Sequence, residues 1–221
     1  TRAGILLSLL IAKPQLGWIV PLALFSGREW KTLFTMTASS MGLLALSIMT
    51  AGLQPWFAWH ERLDILRRSI LEDGSGVMQR MMSIFVLVRH AGTGVDTAWL
   101  MQAAATLISV VLLMLVWNRA QSGQISFKIR ASVLVLAILT ATPYVSDYDC
   151  VMLAFPCVWL WPLAGRWGRI ILTMAALSPL MAAGIALGTG IPLAGIFLWA
   201  TLIWAATQVT RLKIRPQSLK D

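Results

Sequence analysis

Charge is scarce in this chain. Only 12% of its 221 residues are Asp, Glu, Lys or Arg, about half of the roughly 25% found in soluble domains. That deficit argues against a soluble globular protein. Cysteine is scarce as well: Cys150 and Cys157 fall at or inside an apolar stretch, about two helical turns apart. They read as buried thiols, because no partners for a disulfide framework or metal site accompany them. There are two histidines and no GxSxG, HExxH or Walker A pattern, which removes the common hydrolase, metalloprotease and nucleotide-triphosphatase signatures. Internal repeats, low-complexity tracts and a soluble domain are missing too.

What fills the chain is apolar. Hydrophobic residues make up 58% and the mean hydropathy is +0.76. Eleven tryptophans suit a membrane protein, since Trp favours the bilayer interface. The net charge of +9 does not point to nucleic acid, because the basic residues are dispersed between apolar blocks rather than gathered on one polar face. It points to cytoplasmic loops and anionic lipid headgroups. The chain opens at Thr1 and is apolar by Ala3, without the basic start and small-residue cleavage site of a signal peptide. The expectation is a C-terminal part of a longer protein, with further spans ahead of it.

Seven apolar blocks can be marked: residues 3–26, 32–53, 95–117, 131–144, 150–163, 170–187 and 192–209. The fourth and fifth are short for a span of ~20 residues. The expected fold is all-α, a polytopic transmembrane helix bundle with about seven spans, forming one integral membrane domain over residues 1–221. Arg28 and Lys31, then Arg119, Lys128 and Arg130, then Arg166 and Arg169, then Arg211, Lys213, Arg215 and Lys220 all fall on one side of seven crossings. The positive-inside rule makes that side, and the C-terminus, cytoplasmic. A bacterial inner membrane is the expected location.

Residues 54–94 form the one long loop of the opposite, extracytoplasmic side. Within it Trp56, Trp59, Leu63, Leu66 and Ile70 recur at 3,4,3,4 spacing, one face of a helix. His60, Arg62, Asp64, Arg67 and Arg68 fall largely on other faces. The pattern predicts a helix lying in the interface or packed on the bundle. "EDGSG" then reads as a turn. His90, Arg80 and Arg89 complete the polar set of this loop, and arginine suits phosphate or carboxylate recognition.

Two short stretches carry the chemistry. In "IAKPQLG", Lys13 and Pro14 interrupt the first block. A buried lysine is costly in a membrane unless it faces a cavity or a partner, and proline removes a helix hydrogen bond. The pair therefore predicts a broken helix beside a cavity, or a lysine tied to an acidic neighbour. In "TPYVSDYD", Pro143 ends a span, and Asp147 and Asp149 lie in a loop without basic residues. Such a pair can bind a divalent cation, act as acid or base, bind sugar hydroxyls, or cap the next helix. Tyr144 and Tyr148 are the chain's two tyrosines, and both sit there.

Together these stretches resemble glycosyltransferase family 87, of the polytopic GT-C superfamily. The resemblance rests on K-P-Q-L-G followed by apolar residues and the basic "GREWK", on "QRMMSIFVLVRHAG", and on "ATPYVSDYDCVMLAFP", in that order. It implies a multi-span fold with an active site at the extracytoplasmic face. It implies transfer with inversion of a hexose, mannose being the expected sugar, from a polyprenyl-phosphate donor to a lipid or glycan acceptor. The general base of such enzymes lies in the first extracytoplasmic loop, which would precede Thr1, so no catalytic base is assigned. Lys13 and Gln15 are then candidates for the donor phosphate, and Tyr144, Asp147, Tyr148 and Asp149 for the substrate cleft. No metal ligand is assigned, and the acidic pair leaves a divalent cation open. The competing class is a transporter or flippase for a lipid-linked or anionic substrate, which also uses broken helices. Lys13-Pro14 has no counterpart later in the chain, which counts against it.

Overall fold

The computed structural model describes residues 1–73, 78–121 and 125–212, without the side chains of 209–212. The turn expected at Gly74–Gly76 and the basic residues Arg211, Lys213, Arg215 and Lys220 lie outside the described backbone or side chains. The described residues are overwhelmingly helical and contain no β-strand. In chain order the α-helices are α1 Arg2–Ser8, α2 Pro14–Gly17, α3 Val20–Ser26, α4 Trp30–Ala51, α5 Gln54–Arg67, α6 Ile84–His90, α7 Val95–Ala120, α8 Phe127–Ala141, α9 Ala154–Leu160, α10 Arg166–Thr189 and α11 Gly195–Leu212.

Three helices are long and apolar enough to cross a membrane: α4 with 22 residues, α7 with 26 and α10 with 24. At ~1.5 Å per residue each exceeds the ~30 Å hydrocarbon core. The remaining apolar helices are shorter, so a count of about seven crossings is not established. Two of the expected blocks are not continuous helices. Block 3–26 breaks into α1, a 3-10 turn at Leu9–Ala12, α2 and α3, with Lys13 in a non-helical conformation at φ −131° and ψ 74°. Pro14 causes the break by pushing Lys13 out of the helical region, and Pro14 and Pro21 then sit in the first turns of α2 and α3. Block 150–163 becomes a 3-10 segment at Asp147–Leu153, then α9, then a 3-10 turn at Trp161–Leu163 begun around Pro162.

The core gathers around α8. Ten of its 15 residues are buried, including the run from Leu136 to Ala141. A helix apolar on every side needs cover on every side, and α7, α9 and α11 supply it. Close approach matters at Gly4: a Cβ there would lie 2.7 Å from the Thr32 carbonyl oxygen and 2.8 Å from Thr35 Cβ. Glycine thus lets α1 press against α4.

Buried polar residues on α7 fix the ends of its neighbours. The Gln102 side chain, 2% exposed, accepts from the Phe85 amide at 3.1 Å and donates to the Ala141 carbonyl at 3.4 Å. Thr106 donates to the same carbonyl at 2.7 Å. One level deeper, Ser109 and Thr140 share a hydrogen bond at 2.8 Å. These bonds satisfy free groups at the start of α6 and the end of α8. They also anchor the stretch that follows Ala141.

Candidate functional site

The stretch after α8 is extended where Thr142 leaves the helix, and Pro143 prevents its continuation. Thr142 Oγ1 accepts from the Tyr144 amide at 3.2 Å. Val145 then accepts a backbone bond from Met82, 3.0 Å long, while Ser146 bridges to Met81. The segment before α6 therefore straps "PYVS" in place. Ser83 closes that strap by capping α6, accepting from the Val86 amide at 3.3 Å.

Lys13 comes to this segment from 136 residues away. Its Nζ lies 2.6 Å from Asp149 Oδ1. The other carboxylate oxygen accepts from the Ser146 amide at 3.2 Å. Asp149 is thus bonded on both oxygens, and its side chain is 4% exposed, whereas that of Lys13 is 45% exposed. The ammonium also lies 4.5 Å from the centre of the Tyr148 ring, a cation–π distance. The same region holds a second pair: Arg80 Nε donates to Asp147 Oδ2 at 2.8 Å, and that carboxylate holds the guanidinium above its ordinary pKa.

Beside the Lys13–Asp149 pair opens a cavity of about 510 Å³. Ala12, Pro14 and Gln15 line it from the helix break, and Tyr144, Ser146 and Tyr148 from the strapped segment. The third wall is apolar: Trp59, Leu63, Leu66 and Ile70, the stripe of α5 and the turn after it. No residue of α5 is buried, so the stripe faces this opening rather than the bundle core. Burial raises the Tyr144 phenol above its ordinary pKa, with Glu72 pushing the same way and Arg67 opposing. Tyr144 is therefore a neutral hydrogen-bond donor at physiological pH.

Of the residues singled out in the sequence, Gln15, Tyr144 and Tyr148 line the cavity, and Lys13 reaches its edge over Tyr148. Asp147 and Asp149 stand behind it, each engaged with a cation. Among the described residues no group of three or more His, Cys, Asp or Glu is placed to hold a metal ion. Arg67 and Arg89 gather at Glu72. Arg67 pairs with it at 3.6 Å, and Arg89 donates to its carbonyl at 3.1 Å. Ser146, Met81 and the anchoring Gln102 escaped the sequence reading. A glutamine in mid-span was a visible signal for the last of these.

The arrangement combines one partly exposed cation, neutral hydroxyl donors and an apolar wall. It suits a ligand with an anionic head and a hydrocarbon tail. No curated protein and no solved structure matches this chain. The model of glycosyltransferase family 87 matches residues 1–143, a range that takes in the helix break, α5 and the strap and ends just before Tyr144. This chain belongs to glycosyltransferase family 87, a family of membrane glycosyltransferases.

Proposed function

We propose that the protein transfers a hexose, mannose in the first instance, from a polyprenyl-phosphate donor to a lipid or glycan acceptor on the extracytoplasmic side of a bacterial inner membrane. The carrying observation is the cavity itself: an ammonium at its edge, hydroxyl donors on one wall and a hydrocarbon-like stripe on another. The donor's phosphate sits against Lys13 and Gln15, and its prenyl tail runs along Trp59, Leu63, Leu66 and Ile70. Tyr144 and Tyr148 contact the sugar.

In the reaction the bond between the anomeric carbon and the phosphate oxygen breaks, with its electron pair leaving on the phosphate. The acceptor hydroxyl attacks from the opposite face, which inverts the centre. Charge grows on the departing phosphate, and Lys13 is placed to stabilise it more strongly in the transition state than in the ground state. Asp149 is a positioning residue that holds the ammonium at the cavity edge. Asp147 restrains Arg80 in the same way. Both carboxylates are engaged in ion pairs, so neither is assigned as the base that takes the acceptor's proton. Residues 54–94 form an extracytoplasmic loop whose helix α5 lies in the interface, covering the donor tail. The C-terminus is cytoplasmic.

The test is transfer from radiolabelled polyprenyl-phosphate sugars by the full-length protein in native membranes. The expected result is label in a lipid or glycan fraction, lost in Lys13→Met. Absence of transfer from any polyprenyl-phosphate sugar overturns the assignment of the donor.

A further inference from the structure

A second cavity, of about 520 Å³, opens where the turn after α3 meets the last turns of α7. It lies at the opposite end of the bundle from the cleft. Helix α8 runs between the two, and its 15 residues separate them by roughly 22 Å.

The turn itself is unusual. The Arg28 amide bonds to the Phe25 carbonyl at 3.0 Å, and the Glu29 amide to the Leu24 carbonyl at 2.9 Å. This is the Schellman closure of a helix, whose left-handed position belongs to glycine by preference. Here Arg28 occupies it, at φ 53°, the one non-glycine residue with positive φ among the described residues. Glycine stands one position earlier, at Gly27, where a Cβ would lie 2.8 Å from the Trp117 ring. The chain therefore keeps an arginine in a conformation that disfavours it, and retained strain of that kind marks functional sites.

The arginine has no structural duty to explain this. Among the described residues no ion pair or hydrogen bond engages the Arg28 side chain, while the adjacent acid, Glu29, is taken by Arg130 at 2.9 Å. Ser26 Oγ, also in the cavity wall, is buried without a hydrogen-bond partner among the described residues. The carbonyl ends of α3 and α7 meet here and would by themselves repel an anion. Gln121 Nε2 occupies the Ser26 carbonyl at 2.6 Å. Asn118, on the α7 wall, adds an amide. The remaining walls are apolar and outward-facing: Met114 and Leu115 of α7, with Phe25 and Trp30 packed edge to face at 5.3 Å. A free arginine, an orphan hydroxyl, an interfacial tryptophan and exposed aliphatic side chains make an amphipathic site.

We propose that this cavity binds the phosphate headgroup of an anionic membrane lipid, in the leaflet opposite the transfer cleft, with Arg28 as the principal contact. Met114 and Leu115 carry the upper acyl chain. Basic pockets between membrane helices have the chemistry for such headgroups. A soluble phosphate offers the same anion without the tail, and the apolar walls favour the lipid. The site is independent of which donor or sugar the cleft takes.

The test uses the full-length protein in detergent, with phosphatidylglycerol, phosphatidylcholine and inorganic phosphate as probes. Bound lipid is read by native mass spectrometry and the unfolding midpoint by a thermal scan. The expected result is at least tenfold preference for phosphatidylglycerol over phosphatidylcholine, undiminished by millimolar inorganic phosphate. Arg28→Gly should lose about tenfold in phosphatidylglycerol affinity. Its lipid-free midpoint should stay equal or rise, because glycine relieves the strain at φ 53°. Equal retention of the two lipids, or unchanged affinity in Arg28→Gly, overturns the proposal. So does displacement of the lipid by phosphate, which would mark a soluble-anion site. A lower lipid-free midpoint in Arg28→Gly overturns it too, by giving Arg28 a structural role.

Discussion

Lys13→Met separates two jobs assigned to one ammonium group. The first is structural. Lys13 lies 2.6 Å from a carboxylate that is 4% exposed, while its own side chain is 45% exposed. Removing one partner of a fully buried pair costs about 3–5 kcal/mol, and an exposed pair contributes about 0–1 kcal/mol. This pair is wet on one side only, so the variant should lose about 2 kcal/mol of stability. Most of that loss is the orphaned Asp149 charge rather than a lost attraction. Adding Asp149→Asn removes the charge and keeps an oxygen that can accept from the Ser146 amide at 3.2 Å. The double variant should therefore recover about half of the loss or more. The second job is catalytic. A lost contact to the departing phosphate lowers kcat/KM by about 100-fold, and no change at position 149 restores it. Thermal unfolding and initial transfer rates of the full-length protein give both readouts. If the double variant regains transfer along with stability, Lys13 serves the fold alone and its phosphate role is refuted.

Other expectations follow from the cavity and its anchors. Leu63→Ser and Leu66→Ser remove apolar wall, and each lost leucine contact is worth about 1.5–3 kcal/mol when fully buried. KM for a long-chain donor should rise about tenfold, and KM for a short-chain analogue should change little. Gln102→Leu leaves the Phe85 amide without its side-chain acceptor and weakens the hold on the Ala141 carbonyl. It should cost about 1–3 kcal/mol, seen as a lower unfolding midpoint together with weaker transfer. Gly4→Val forces a Cβ to within 2.7–2.9 Å of Thr32, Thr35 and Met36. It should destabilise by about 1–3 kcal/mol with kcat unchanged in the fraction that folds. Arg80→Gln removes a cation that is 58% exposed from a carboxylate that is 15% exposed, so it should lower the unfolding midpoint slightly.

Some of this was legible in the sequence because the signal was local. Lys13-Pro14 announced a break, and Pro14 delivers one through its effect on the residue before it. The 3,4 spacing from Trp56 to Ile70 announced a helix with one apolar face, and that face borders the cavity. Block 150–163 misled because hydropathy registers composition while Pro156 and Pro162 act on backbone geometry. The distant parts of the site were not legible. Nothing near Lys13 says that its partner is Asp149, 136 residues on, because closure depends on α8 being buried on all sides and on Met81 and Met82 strapping "PYVS" from outside. Asp147 and Asp149 read as an acidic pair in a loop without cations, able to cap the next helix or to bind a cation or sugar. Their cations arrive from Arg80 and Lys13, and only the folded chain brings them near. Gln102 was visible as a polar residue within an apolar stretch of α7, yet its role is clear only once both helix ends it serves are in place.

The most direct measurement of the central proposal is a cryo-electron microscopy map of the full-length protein with a non-reactive polyprenyl-phosphate sugar. The expected map shows phosphate density within hydrogen-bond reach of Lys13 Nζ. The sugar should lie against Tyr144 and Tyr148, and the prenyl chain along Trp59, Leu63, Leu66 and Ile70. Donor density elsewhere, with this cavity holding only solvent, contradicts it.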